Sequence, residues 1–158
     1  MKTYGKITGI KEITNFELGN YAPKDGKNGA QLGMSSMINS LYGGRSMDGY
    51  EVTCANHRVL VLIDNGQSCC ESWGYMSSED NLSQFVGATL RDIKLTDTGC
   101  NTKMIEEEKS IYEGGIQFVD FITSKGDFQL AVYNAHNGYY GHGIIIAIDD
   151  EILCQDTL

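Results

Sequence analysis

The stretch Asn134-Ala135-His136-Asn137-Gly138-Tyr139-Tyr140-Gly141-His142 sets two of the chain's three histidines on either side of a glycine-rich turn. Two neutral imidazoles that converge are a common way for a protein to hold Zn²⁺ or another borderline metal. Asn137-Gly138 is the dipeptide preferred by turns that need positive φ, and Gly141 and Gly143 flank His142. The backbone can therefore fold tightly enough to bring both rings towards one point. The same nine residues also describe an ordinary loop whose histidines are solvated or hydrogen-bonded.

A second unusual stretch, Gln67 to Tyr75, concentrates Cys69, Cys70, Glu71, Tyr75 and the only tryptophan, Trp73. Adjacent cysteines on an extended backbone point to opposite faces, so one can reach a site while the other packs. The chain has five cysteines, an odd number, with no CxxC pair and no secretion signal, which argues against a disulfide framework and against zinc-finger spacing. Zinc takes four ligands from Cys, His and carboxylate. Cys69 or Cys70 with His136 and His142 would supply three, and Glu71, Cys54 or His57 the fourth. A closed site would be structural; an open one would acidify bound water and make a hydrolase, with Glu71 or a nearby Asp as base. HExxH and the nucleophile elbow are absent from the sequence.

Two metal-free alternatives stand beside this. In a cysteine hydrolase, Cys69 or Cys70 would attack, His136 or His142 would take the proton, and Asn134 or Asn137 would orient the base. In a small-molecule pocket, Trp73, Tyr75, Tyr139 and Tyr140 would form the walls. A plain scaffold, with thiols packed and histidines bonded to carbonyls, also satisfies the sequence.

These residues need a folded frame, and the composition provides one. At 158 residues, 41% hydrophobic and 9% aromatic, the chain reads as a single globular domain, 1–158. It holds nineteen glycines against one proline, so turns are made by Gly and Asn. No apolar run reaches the ~20 residues of a membrane span, and the N-terminus alternates like a strand, so a cytoplasmic location is expected. A net charge of −9 opposes approach to phosphate backbones, which excludes direct nucleic-acid binding. Glu106-Glu107-Glu108 and Asp149-Asp150-Glu151 are acidic clusters, read either as solvated faces or as a surface docking onto a basic protein groove.

Periodicity predicts the elements. Lys6 to Phe16 fits a strand that bends. Met34, Met37, Ile38 and Leu41 fall on one stripe of a short helix. Tyr50 to Cys54, a turn at Ala55-Asn56 and the apolar His57 to Asp64 form a hairpin whose second strand is central. Ser77 to Asp80 would cap a second short helix from about Asn81 to Val86. Ala88 to Leu95 alternates imperfectly, which predicts a bulge. A meander follows through Ile116–Thr123, Phe128–His136 and Ile144–Asp149. The fold class expected is α+β: a largely antiparallel sheet with two short helices.

Together, Ser68-Cys-Cys-Glu-Ser-Trp-Gly-Tyr75 and Asn134-Ala-His-Asn-Gly-Tyr-Tyr-Gly-His142 resemble a family of small proteins of unknown function in phages and Firmicutes. That family carries an SCCE-x-aromatic-G segment followed by HNGYYGH. The resemblance covers Gly49 to Ile148 and implies no established activity. In kind, by small size and acidity, the chain also resembles anti-CRISPR proteins of Gram-positive mobile elements, some of which block Cas9 and some of which hold a metal. That resemblance implies a protein-interaction inhibitor of a host defence nuclease, with Glu106, Glu107 and Glu108 as a contact run. Zinc is the cofactor expected at Cys69, Cys70, His136 and His142, with Glu71, Trp73, Asn134, Asn137, Tyr139 and Tyr140 around it. The oligomeric state is left open.

Overall fold

The computed structural model describes residues 3–17, 46–66, 71–96, 99, 114–136, 143–149 and 151–157; at positions 17, 71, 72, 114, 115, 135 and 136 it describes the backbone alone. Nine strands account for most of these residues: β1 (Gly5–Glu17), β2 (Ser46–Cys54), β3 (Arg58–Asp64), β4 (Glu71–Ser77), β5 (Thr89–Thr96), β6 (Gly114–Thr123), β7 (Phe128–His136), β8 (Gly143–Ile148) and β9 (Glu151–Thr157). Their order in the sheet is β4-β7-β6-β5-β1-β2-β3-β8-β9, and every neighbouring pair is antiparallel.

The α+β expectation is overturned. Among the described residues the sole helical element is a four-residue 3-10 turn, Leu82–Phe85, where an α-helix from Asn81 to Val86 was expected. Its cap is Asn81, whose side chain accepts from the Ser83 backbone N–H, and not the Ser77–Asp80 run. Gly87, at φ +86, ends the segment after one turn, too short for i→i−4 bonds to propagate. The other expected helix, on Met34 to Leu41, lies outside the described residues.

The long strand β1 joins two halves of the sheet. It pairs with β5 through Gly5 and Lys6 only, and with β2 from Ile7 to Glu17. Two register shifts, at Ile7/Gly9 and Ile13/Phe16, and a left-handed Asn15 (φ 53) supply the bend expected from its uneven apolar spacing. The halves share a core. Ile7, Val52, Val59, Val61, Ile63, Ile144 and Ile146 from one side meet Leu90, Ile93, Val119, Phe121, Phe128, Leu130 and Val132 from the other. Phe121 and Phe128 stack with centroids 4.4 Å apart, and Phe85 tilts against Phe128 at 4.6 Å. The sheet thus folds over on itself, and its inward face is a sandwich core.

The outward face of β2, β3 and β8 is buried too. Met47, Leu60, Leu62, Ile145 and Ala147 form a second apolar cluster with Ile13, Phe16 and Ile152 packed on it. This accounts for the unbroken apolar run of β3, an interior strand buried on both faces. Strand β9 was not anticipated; its residues alternate between exposed and half-buried, and it forms one edge of the sheet.

Candidate functional site

At the opposite edge, β4 pairs with β7, and this pairing brings together the two chemistry-bearing stretches. Glu71 stands opposite His136, Ser72 opposite Ala135, and Trp73 opposite Asn134. Glu71–Ser77 is an edge strand of the described sheet, and its residues 73–77 are half-buried. Cys70 precedes Glu71 by one peptide bond and Asn137 follows His136 by one, so both motifs run out from the same end of one ladder.

Strand alternation sorts the residues. Trp73 and Tyr75 of β4 pack against the sandwich core, and Val132 of β7 lies within it. Register positions 71 and 136 share that parity with Trp73 and Asn134. Asn134 is fully buried and Trp73 half-buried. Cys69, Cys70, Asn137, Tyr139, Tyr140 and His142, with Glu106, Glu107 and Glu108, lie outside the described residues. Among the described residues no three of His, Cys, Asp and Glu gather as a metal site would require.

Gly74, between Trp73 and Tyr75, faces the other way, directly opposite Tyr133. A Cβ there would lie 2.4 Å from the Tyr133 hydroxyl oxygen, so the ring covers the glycine. A glycine at this position lets the aromatic of β7 lie flat over the edge strand.

An aromatic patch continues along the inward side. Trp73 and Tyr75 stack at 6.3 Å and 27°, and Tyr50 of β2 meets Tyr75 edge-on at 5.9 Å. The Tyr75 hydroxyl donates to Glu12 of β1 at 2.5 Å. Burial, then the Glu12 bond and charge and the Asp48 charge, raise the Tyr75 phenol well above its ordinary value, so it stays a donor. Tyr50 is raised too, by burial and by Glu12. Glu12, Asp48 and Tyr50 were not singled out from the sequence. Glu12 lies at alternating spacing from Ile10, but so do Thr8 and Thr14, so spacing alone did not mark it.

A second polar centre joins two turns. Asp149, in a left-handed conformation (φ 49), accepts from the Arg58 backbone N–H at 2.8 Å and lies 2.5 Å from His57 Nδ1. Tyr4 packs edge-on against the His57 ring at 5.9 Å. Asp149, read from the sequence as part of an acidic cluster that is either a solvated face or a docking surface, is exposed, and it also joins the β2–β3 and β8–β9 turns. Cys54, considered as a zinc ligand, is buried, and burial together with the Asp149 charge pushes its thiol up to about 11. It is the opposite of an activated thiolate.

The family model for a domain of unknown function, DUF7448, matches residues 5–146. The chain belongs to that family. The match runs from β1 into β8 and includes both motifs, so the β4–β7 pairing lies wholly within the family's domain. No curated protein and no solved structure matches the chain.

Proposed function

We propose that this DUF7448 protein is a non-enzymatic binding protein whose two motifs form one metal-holding end of the β4–β7 ladder. The observation that supports it is the register Glu71 opposite His136. That pairing sets a carboxylate-bearing and an imidazole-bearing residue at facing positions, with a cysteine one bond upstream. Carboxylate, imidazole and thiolate are the donor set zinc prefers. In this proposal Cys69 or Cys70, His136 and His142 hold the ion, Glu71 supplies or supports the fourth position, and the metal is structural. Elemental analysis of protein purified without a metal-affinity step tests it: one equivalent of zinc is expected, and a metal-free folded protein overturns it.

The wider role proposed is inhibition of a host defence nuclease such as Cas9, in the manner of anti-CRISPR proteins of phages and mobile elements. The net charge of −9 supports it, since an acidic protein is steered to a basic groove. Pull-down and cleavage assays with type II-A Cas9 and guide RNA at two salt concentrations are the test. A complex whose association slows with salt, and is weakened by reversing Glu106, Glu107 and Glu108 to Lys, is the expected result. No complex and undiminished cleavage would refute the role.

A further inference from the structure

We infer that the outer edge of β9 is a strand-addition site for an extended, basic segment of a partner protein. Among the described residues β9 ends the sheet, paired with β8, and five of its seven residues are exposed. In an antiparallel edge strand every second residue turns its N–H and C=O away from the neighbouring strand, and that row of groups can pair with another chain. Among the described residues the backbone of Ile152 to Thr157 bonds to β8, apart from the Thr157 N–H, which donates to the Asp156 carboxylate at 2.8 Å. β9 has neither the lysine nor the proline that commonly blunts an edge.

A bulge shapes this edge. Cys154 stands opposite Ile146 and Ile152 opposite Ala147, so Leu153 is the extra residue. The bulge carries the strand from one buried side to the other: Ile152 packs on the outward apolar cluster and Cys154 against the sandwich core. Leu153 belongs to neither cluster and is 44% exposed, one of two large apolar side chains exposed among the described residues. Beyond it, Cys154 to Thr157 run in unbroken register with β8, so an arriving strand has a regular ladder to extend and an apolar contact beside it. Charge selects the occupant. From Gly126 to Leu158 the sequence has no lysine or arginine, while Asp149, Glu151 and Asp156 are exposed on β9 and the turn before it. A second copy would bring the same acids to the seam, and like charges facing across a ladder are destabilising. A segment that alternates basic and apolar residues meets both the carboxylates and Leu153, with main-chain bonds supplying affinity and side chains selectivity. The edge involves neither the proposed metal ligands nor Glu106, Glu107 and Glu108, so this inference does not rest on that reading.

The test is an NMR titration of the isotopically labelled full-length protein with three short peptides: one alternating lysine and valine, its glutamate–valine counterpart, and the lysine–valine peptide N-methylated throughout its backbone. The basic peptide should give saturable shifts at the amides of Leu153 to Thr157 and slow their hydrogen exchange. The acidic and N-methylated peptides, which lack the charge and the main-chain donors respectively, should bind at least about tenfold more weakly. Leu153→Lys, at an exposed position, and Asp156→Asn, which keeps an acceptor for the Thr157 N–H, should each weaken the basic peptide at least about threefold while thermal unfolding stays within a few degrees of the parent. No saturable shift on β9, or a basic peptide that binds no more tightly than either control, overturns the site. Sedimentation of the peptide-free protein checks the other occupant: a concentration-dependent dimer abolished by Leu153→Lys would give the edge to a second copy and overturn the basic partner. No zinc and no Cas9 enter these measurements, so failure here and failure of the proposed function are separate results.

Discussion

Gly49 lies against the backbone of the neighbouring strand: a Cβ at this position would come within 1.9 Å of the Val61 carbonyl oxygen and 2.9 Å of its carbon. Its φ of +152° is one that L side chains rarely adopt. The obstructing atoms belong to β3, buried on both faces and unable to shift without disturbing both apolar clusters. Gly49→Ala should therefore cost on the order of 4 kcal/mol, a large share of the roughly 5–15 kcal/mol that holds a domain together. Gly74→Ala is the instructive contrast, because its clash is with the Tyr133 side chain and not with backbone. About 1 kcal/mol is expected there, the scale of one strained rotamer. Urea unfolding of both variants checks the ranking, and equal losses would contradict it.

Glu51 is expected to set part of the acid limb of stability. Burial alone would raise its pKa, but the Arg58 guanidinium, bonded through Nε and Nη2 at 3.1 and 2.8 Å, and Lys11 at 3.5 Å outweigh it and hold the carboxyl below its ordinary value. A carboxylate depressed in the folded state contributes stability that is present above its unfolded pKa, about 4.3, and lost as pH falls through the folded value. Glu51→Gln should thus lower the urea midpoint near neutral pH and flatten its decline on acidification. Parallel declines for parent and variant below pH about 5 would show that the pair is not linked to folding.

The extent to which this fold was legible follows from where the sequence repeats itself. The β2–β3 hairpin, the β6–β7 meander and β8 carry apolar periodicity over whole strands, and β3 announced itself as interior by an unbroken apolar run. The β5 irregularity surfaced as a register shift between Leu90 and Asp92, as its broken alternation implied. What failed was Asn81–Val86, where apolar residues at helical spacing came without the length to sustain a helix. β9 failed because Glu-Ile-Leu-Cys-Gln-Asp-Thr has one half-buried face on an edge strand and little apolar contrast. The β4–β7 partnership could not be read locally at all, since it joins segments about sixty residues apart through register alone. Glu12 and Asp149 were passed over for a related reason: a carboxylate shows its role only when the distant donor, Tyr75 or His57, is in place.

Asp149 is expected to matter more than its acidic surroundings suggest. It holds two groups of the β2–β3 turn and occupies a left-handed conformation that Asn or Gly adopts more readily than Ala. Asp149→Ala should cost about 1–2 kcal/mol, from the lost charge-assisted bonds and the backbone penalty. Asp149→Asn should recover roughly half of that by keeping the turn geometry and an acceptor for the Arg58 N–H. Glu151→Ala, on the exposed edge strand, should change stability by less than about 0.5 kcal/mol. Thermal unfolding of the three variants separates a clasp from a merely solvated acidic face.

Alkaline conditions should test the core through Cys54. With its thiol pushed up to about 11 by burial and by the Asp149 charge, Cys54 is protonated in the folded state at pH values where an unfolded thiol has begun to ionise. Stability linked to it is whole below the unfolded pKa, near 8.5, and is lost as pH rises through the folded value. Two results follow. Maleimide labelling of Cys54 at pH 8, located by mass spectrometry, should proceed only as fast as the protein opens, and so should accelerate in parallel with unfolding when urea is added. Cys54→Ala should in turn reduce the alkaline loss of stability between about pH 9 and 11, at the cost of a small cavity. Rapid labelling in native buffer, at the rate of a free cysteine, would mean that the β2–β3 turn is open to solvent and that the clasp formed by His57 and Asp149 does not seal it.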